Sequence, residues 1–359
     1  MIEEFFKTEK AAIDAELVRY FDNLTKIEKD IILDDFIEQL REFIIPKNSK
    51  AKRIHPVLLI AAFNGIINPM YLEENLEEIR KVSIAVELLH SGHLMHDDLI
   101  DDDKTRRGKP TFHIQLQNEI SKVYKTMEIP NKAEQVKLYG SSMSLLGGSL
   151  GYFLGLDVIK ASKFNDSLKL KAINEYSAAL NNLMKGQIIE EYMNYHNITM
   201  SLEQYLNIAE LQRARIFEKS TTIGAIFARG NMHYQIKLLA DAMLKIGQAH
   251  AIRDDILDVK EDIFGKKKKF IYILAVQNTD EEQSKILNDI YHKPKLTKND
   301  AKQVEQIYSD TNALIIAEHF SKNLVAQAKA SLKEIYPDLN RAQKEFFDQF
   351  SDFIYMRKY

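Results

Sequence analysis

The 359-residue chain has no cysteine, only seven prolines and 13 glycines, and no strong excess of either charge, with 49 basic against 52 acidic side chains. Without cysteine there are no disulfides, no thiolate metal ligands and no cysteine nucleophile. A net charge of −3 argues against a nucleic-acid binder, which ordinarily concentrates positive charge on one face. No apolar run approaches the roughly 20 residues of a membrane-spanning helix. The first residues, MIEEFFKTEKAAIDAEL, are acidic and amphipathic rather than basic and then apolar, so no secretory signal is expected there. These absences predict a soluble, cytoplasmic protein.

A hydrophobic fraction of 45% and a charged fraction of 28% are those of a globular chain. Between the few breakers, Ala, Leu, Glu, Lys and Ile dominate, and apolar residues return every three or four positions. From Tyr71 to Asp101, for example, Leu72, Leu76, Ile79, Val82, Val86, Leu89 and Leu94 keep that beat. The same pattern runs over Phe5–Phe21, Ile27–Ile44, Ala133–Ile159, Leu168–Tyr195, Leu202–Ala228, Tyr234–Val259, Asn312–Ile335 and Arg341–Phe353. Alternating strands bounded by tight-turn dipeptides are absent. KKFIYILAVQ comes nearest to a strand and fits a buried helix equally well. The expectation is an all-α protein of a dozen or so helices in a single domain, residues 1–359.

Five aspartates crowd the seven positions 97–103 in MHDDLIDDDKTRRGKP, and 157 positions after Asp97 the chain reads RDDILDVKED. Both hold D-D-x-x-D, as Asp97, Asp98 and Asp101, then Asp254, Asp255 and Asp258. Positions i and i+4 share one helix face about 5–6 Å apart at Cβ, so each pair of outer aspartates can point into one space. A lone DDxxD is ordinarily a solvated acidic face. Here both copies end helices that are apolar nearly all round, and such helices are usually buried. Carboxylates held that close need a cation between them. With oxygen ligands alone the expected ion is Mg²⁺, with Mn²⁺ second, completed by water and phosphate oxygens. Base follows each cluster, Arg106 and Arg107 after the first and Lys266 to Lys269 after the second. Arginine forks suit a diphosphate.

DDLIDDDKTRRGKPT resembles the first aspartate-rich motif of the trans-isoprenyl diphosphate synthases, and IRDDILDV resembles their second. KRIHP upstream, VELLHSGHLMHDD leading in and GQIIE between keep the family's order, from about Ile44 to Leu332. The resemblance implies an isoprenoid synthase-type helical bundle with the two motifs facing across a central cavity. It implies a Mg²⁺-dependent prenyltransferase that joins an allylic diphosphate to isopentenyl diphosphate, and a homodimer. By the resemblance, Asp97, Asp101 and Asp254 hold metal, with Asp98, Asp255 and Asp258 in support. Arg106 takes the allylic diphosphate. Arg107, Lys52 and His90 belong to the isopentenyl diphosphate pocket, and Arg53, His55, Arg213 and Lys266 are further substrate-binding candidates.

The chain departs from the family pattern in the walls, not in the acids. His55 stands where GGKRxRP has a diphosphate-binding arginine, and the glycines of that motif are gone. Gln212-Arg213 replaces the usual Lys-Thr, leaving Arg213 or Arg215 to substitute, and Ala251 replaces a glutamine. The loop after the second motif shortens to FGKKKKF, and the stretch from His113 to Leu138 is long. Gly92 and His93 occupy the positions where bulky aromatics in the family stop the product early, which favours a product longer than C15, C20 first. Two other readings compete. A regulatory or catalytically weak subunit of a heteromeric synthase would explain the altered walls. A terpene cyclase would share the metal logic but ordinarily lacks a second DDxxD.

Overall fold

The computed structural model describes residues 2–28 (27 and 28 by backbone alone), 30–46, 51–106, 108–196 and 198–356. Helices α1 (Ile2–Glu28), α2 (Ile31–Ile44) and α3 (Ile54–Ile66) lead to α4 (Leu72–Ile100), which ends in the first acid cluster. A short antiparallel hairpin follows, β1 (Thr105–Arg106) paired with β2 (Lys109–Pro110). Next come α5 (Phe112–Val123), α6 (Lys132–Ala161), α7 (Asp166–Tyr195), α8 (Leu202–Ala209), α9 (Arg215–Phe227) and α10 (Lys237–Leu257). The C-terminal part holds α11 (Val259–Phe264), α12 (Phe270–Asn278), α13 (Glu281–His292), α14 (Lys298–Asp310), α15 (Ala313–Lys333) and α16 (Arg341–Met356).

The protein is all-α, as its periodicity predicted, and the ambiguous KKFIYILAVQ forms α12. Among the described residues the hairpin departs from that pattern. Two residues per strand are too few for an alternating pattern to show, and the turn depends on Gly108, whose φ of 76° a side chain would oppose. The segment expected as one helix over Leu202–Ala228 contains a wide turn at Glu210–Ala214, and the one expected over Tyr234–Val259 begins inside another, at Met232–Ile236. A wide turn admits an extra residue and rotates everything beyond it, a common device at functional sites.

α4 and α10 run through the middle of the bundle. α4 opens with Glu73 and Glu74 in its first turn, where the helix dipole favours acid, and then buries residues on every side from Ile79 to Met95. Its approach to α6 is too close for side chains. A Cβ on Gly92 would lie 2.6 Å from the Gly148 carbonyl, and one on Gly148 would lie 2.4 Å from the His96 ring. The buried apolar residues form one large cluster around α3, α4, α6, α9 and α16, and a second around α12, α14 and the start of α15. α10 threads both, placing Ala249 in the first and Ala251 and Ile252 in the second.

α6 is 30 residues long and, by length and composition, apolar enough to cross a membrane, with a mean hydropathy of 1.3 over its best window. The sequence reading missed it because glycine and serine dilute the apolar run. Half of that window is buried inside the fold against α4, α5 and α7, as in a core helix of a bundle.

Candidate active site

Both acid clusters sit at helix C-termini, the end where the helix dipole disfavours negative charge, and neither α4 nor α10 has a basic residue in its last turn. Asp97 and Asp254 line a single cavity of about 250 Å³. The two motifs are therefore brought together, as the resemblance implied. Arg106 and Arg213 line the same space and meet the acids directly. Arg106 donates from Nε to Asp98 Oδ1 at 2.6 Å and from Nη2 to Asp97 Oδ2 at 3.2 Å. Arg213 donates from Nη1 to Asp254 Oδ2 at 3.4 Å, and His250 Nδ1 lies 3.2 Å from the same oxygen. Burial works against the Arg213 charge, but Asp255 and Asp254 outweigh it and hold the guanidinium above its ordinary value.

The hairpin explains how Arg106 arrives. The chain leaves α4, reverses through Asp102 in a left-handed conformation, and pairs Arg106 with Lys109. That return carries the guanidinium back over the end of the helix it has just left. Arg107, the second arginine of RRGKP, lies outside the described residues.

The acids of each motif divide by helix angle. Asp98, one position past Asp97, is fully buried and anchors Arg106, while its Oδ2 has no partner. Asp255 turns away from the cavity altogether. Its Oδ2 accepts from the Tyr205 hydroxyl and from the Phe270 backbone N–H at 3.1 Å, so it ties α8 and the start of α12 to α10. A catalytic role for Asp255 is corrected to a scaffold role, because one step along a helix is about 100° of rotation. Asp101 and Asp258 follow one turn on and are more exposed than Asp98, though still partly shielded by the site. Burial raises the carboxyls of Asp98 and Asp101 to about 6, and the neighbouring Asp97 adds to the effect. Asp258 is raised in the same way, first by burial and then by Asp254.

Two basic candidates are placed elsewhere. Arg53 is 3% exposed, in a left-handed conformation at the head of α3. It donates to Asp14 Oδ1 at 2.8 Å, to Glu87 Oε1 at 2.5 Å and to the Ile44 carbonyl at 2.9 Å. These contacts consume its fork, so it is a buried clamp on α1, α3 and α4 and does not reach the cavity. Lys266 donates from Nζ to the Lys293 carbonyl at 2.9 Å, turned outward by its left-handed φ of 53°. Its neighbours turn to acids instead, outside the cavity lining. Lys267 acts electrostatically on Asp101, and Lys269 pairs with Asp262 at 2.9 Å and lies 3.8 Å from Asp255. Lys52 is exposed at the head of α3, while His55 and His90 line the cavity.

Reasoning from sequence missed four lining residues, Leu94, Ile216, Phe217 and His250. His250 was accessible, since it precedes Asp254 by four and shares its face. The other three read as ordinary core. Gln212, in place of the usual lysine, donates to Gln187 Oε1 at 3.2 Å and to Glu190 Oε2 at 2.7 Å. The GQIIE segment thus holds a neutral amide where a cation was expected, and the wide turn at Glu210–Ala214 presents Arg213 beside it.

Residues 37–311 match the family described as Polyprenyl synthetase. The chain belongs to that family. By class it is a trans-isoprenyl diphosphate synthase, a prenyltransferase. It is 26% identical over 319 residues to a short chain isoprenyl diphosphate synthase of Methanocaldococcus jannaschii, covering 86% of each chain. It is 25% identical over 329 residues to a geranylgeranyl diphosphate synthase of Saccharolobus solfataricus, again covering 86% of each. Its fold is that of a geranylgeranyl pyrophosphate synthase of Corynebacterium glutamicum solved with isoprenyl diphosphate and magnesium. That likeness has a TM-score of 0.84 at 21% identity over 99% of both chains.

Proposed function

We propose that this prenyltransferase condenses an allylic diphosphate with isopentenyl diphosphate, using Mg²⁺, to give a short linear trans-prenyl diphosphate, C20 first, and pyrophosphate. The observation that carries the reading is Asp97 and Asp254, from two separate DDxxD helices, lining one cavity with Arg106 and Arg213. The named activities of the relatives, geranylgeranyl and geranylfarnesyl diphosphate synthases among them, support this product range.

The residues fit a hard divalent cation. The donors are carboxylate oxygens, Asp98 Oδ2 is buried without a partner, and Asp98, Asp101 and Asp258 are all pushed toward protonation, first by burial and then by the neighbouring acids Asp97 and Asp254. Among the described residues no three acidic or histidine side chains converge as a ready-made metal site. That suits Mg²⁺, which one or two carboxylates hold while water and substrate phosphates complete the shell. Asp97, Asp101 and Asp254 would hold it, and when bound it neutralises charge on the departing pyrophosphate. Arg106 and Arg213 fix the diphosphate of the donor by charge-assisted hydrogen bonds. Leu94, Ile216 and Phe217 line the cavity with apolar surface that excludes water from the allylic cation. The donor C–O bond breaks, the acceptor double bond attacks the freed carbon, and a proton leaves to restore the alkene.

The titrations of Asp98 and Asp101 set an expected pH dependence. Between their ordinary range and about pH 6 the folded chain holds protons that the unfolded chain has released, so these groups lower stability as pH rises through that window. A bound cation favours the ionised forms and reverses this. Scanning calorimetry with Mg²⁺ against EDTA is expected to show a gain in Tm at pH 7.5 that shrinks toward pH 5. An equal gain at both pH values counts against carboxylate ligation.

We propose a second determinant of product length, Tyr152 of α6. Gly92 leaves a gap on α4, but the Tyr152 ring of α6 fills it, with Cε1 3.1 Å from where a Cβ would stand. Tyr152 is held there by its hydroxyl, 3.2 Å from His96 Nδ1, and by the Tyr176 hydroxyl donating to its carbonyl at 2.7 Å. Incubating wild type and Tyr152→Ala with isopentenyl diphosphate, each allylic starter and Mg²⁺ tests both points. Chromatography is expected to show C20 for wild type and longer chains for the variant. No chain product from any starter overturns the function; an unchanged product set makes His93 the stop instead. If wild type is inactive alone but alters the product of an active homologue, it is a regulatory subunit.

A homodimer is proposed on the exposed apolar face of α6 and α7, where Leu145, Leu146, Phe153, Ile188 and Tyr192 are each more than half exposed. Light scattering on the purified chain measures it.

A further inference from the structure

The two aspartate motifs share more than their acids. A histidine precedes each at the same interval, His93 four positions before Asp97 and His250 four before Asp254, so the chain repeats H-x-x-x-D-D-x-x-D. Both histidines line the cavity, on the helix face that carries the acid. Packing uses them differently. The Nδ1 of His93 is buried without a hydrogen-bond partner, and Asp97 takes its hydrogen bond from Arg106. His250 instead sets Nδ1 3.2 Å from Asp254 Oδ2. An ionised carboxylate only accepts, so this ring nitrogen carries the hydrogen and donates it.

Asp254 Oδ2 has a second donor, Arg213, at 3.4 Å. The two are not equivalent. The Arg213 side chain is 41% exposed and comes from the wide turn at Glu210–Ala214, on a long arm that the proposed reaction turns to a diphosphate. The His250 side chain is 16% exposed, and its ring lies 5.4 Å from that of Phe217 between centroids. It meets the same oxygen at the shorter distance, from one turn back on the same helix. A shift of a neighbouring element therefore leaves the pair together.

We infer that His250 is a positioning residue for the metal-holding acid of the second motif: it keeps Asp254 aimed into the cavity when Arg213 leaves that carboxylate for the substrate diphosphate. The inference rests on the proposed reaction for the cation and the diphosphate, and adds to it a residue that acts through Asp254. A carboxylate held by a fixed donor has less freedom to lose on taking a cation. Removing such an outer partner typically weakens metal binding by about 10–100-fold.

The test is the melting temperature of the full chain against Mg²⁺ concentration, at one fixed concentration of inorganic pyrophosphate. It is run on wild type, His250→Phe, His250→Asn and His250→Gln. Pyrophosphate takes up Mg²⁺ equally in every sample, so differences between variants belong to the protein, and the Mg²⁺-free melting temperature reports folding. In wild type Mg²⁺ is expected to raise the melting temperature. Phenylalanine keeps a ring against Phe217 but donates nothing, so the Mg²⁺ concentration at half the rise should increase by about 10–100-fold. Asparagine places its amide nitrogen where Nδ1 stood and should restore the wild-type midpoint. Glutamine places it where Nε2 stood and should behave as phenylalanine does. In steady-state assays the rate lost by His250→Phe should return at high Mg²⁺, with the KM for isopentenyl diphosphate as in wild type. An unchanged midpoint in His250→Phe, or equal midpoints in the asparagine and glutamine variants, overturns the inference and leaves the proposed reaction intact. No Mg²⁺-dependent rise even in wild type overturns the proposed reaction, and this inference with it.

Discussion

Asp97→Asn is expected to lower kcat/KM by roughly 10²–10³, about 2.7–4 kcal/mol of transition-state stabilisation, while the chain still folds. The change removes one negative charge from the cavity where Asp97 faces Asp254, and it also loosens Arg106, which donates to Asp97 Oδ2 at 3.2 Å. Asparagine keeps the size and polarity of the side chain, so packing at the end of α4 is preserved. Asp254→Asn is expected to lose a comparable factor, because Asp254 is the matching acid on α10 and holds Arg213 and His250. If the two act as one unit, the double variant loses far less than the product of the two factors. Asp102→Asn is the control. Asp102 is exposed at a φ of 54°, a conformation asparagine adopts readily, so its activity should stay within about twofold. Steady-state rates with isopentenyl diphosphate and an allylic starter measure all four. Near-normal turnover in both single variants would remove the two acids from the mechanism.

The second large effect concerns stability. Arg53→Met is expected to destabilise the fold by about 3–5 kcal/mol, read from urea denaturation, because it strands a buried carboxylate. The Glu87 side chain is 5% exposed and has Arg53 as its cation, and Asp14 and the Ile44 carbonyl lose their donor as well. Adding Glu87→Leu should recover part of the loss, since removing both members of a buried pair costs less than removing one. The same experiment separates the two roles considered for Arg53. A substrate-binding arginine would raise a KM and leave stability alone. A clamp does the reverse, and the geometry of its donors places it with the clamp.

These residues show where local reasoning succeeds and where it stops. Spacing identified Asp97 with Asp101 and Asp254 with Asp258 as faces, since the i, i+4 relation is a property of any helix. It could not tell that Asp98 is fully buried against Arg106 while Asp255 is turned to Tyr205, because that depends on how each helix is rotated against its neighbours. Lys266 to Lys269 were legible as base after acid, but the left-handed turn at Lys266 sends that side chain to the Lys293 carbonyl and leaves Lys267 and Lys269 toward the acids. Tyr152 was silent for a different reason. Its meeting with Gly92 joins residues 60 positions apart, and nothing in either helix announces the other.

The sequence by itself determined the helices, the two acid clusters at their ends and the class of chemistry those clusters serve, because periodicity and side-chain type act over a few residues. Only the tertiary structure decided that α4 and α10 deliver Asp97 and Asp254 to one cavity, that Arg53 is withdrawn from it, and that four histidines from three helices line its wall. The reason is physical. Which face of a helix looks inward, and what burial does to a titratable group there, follow from packing among elements far apart in the chain.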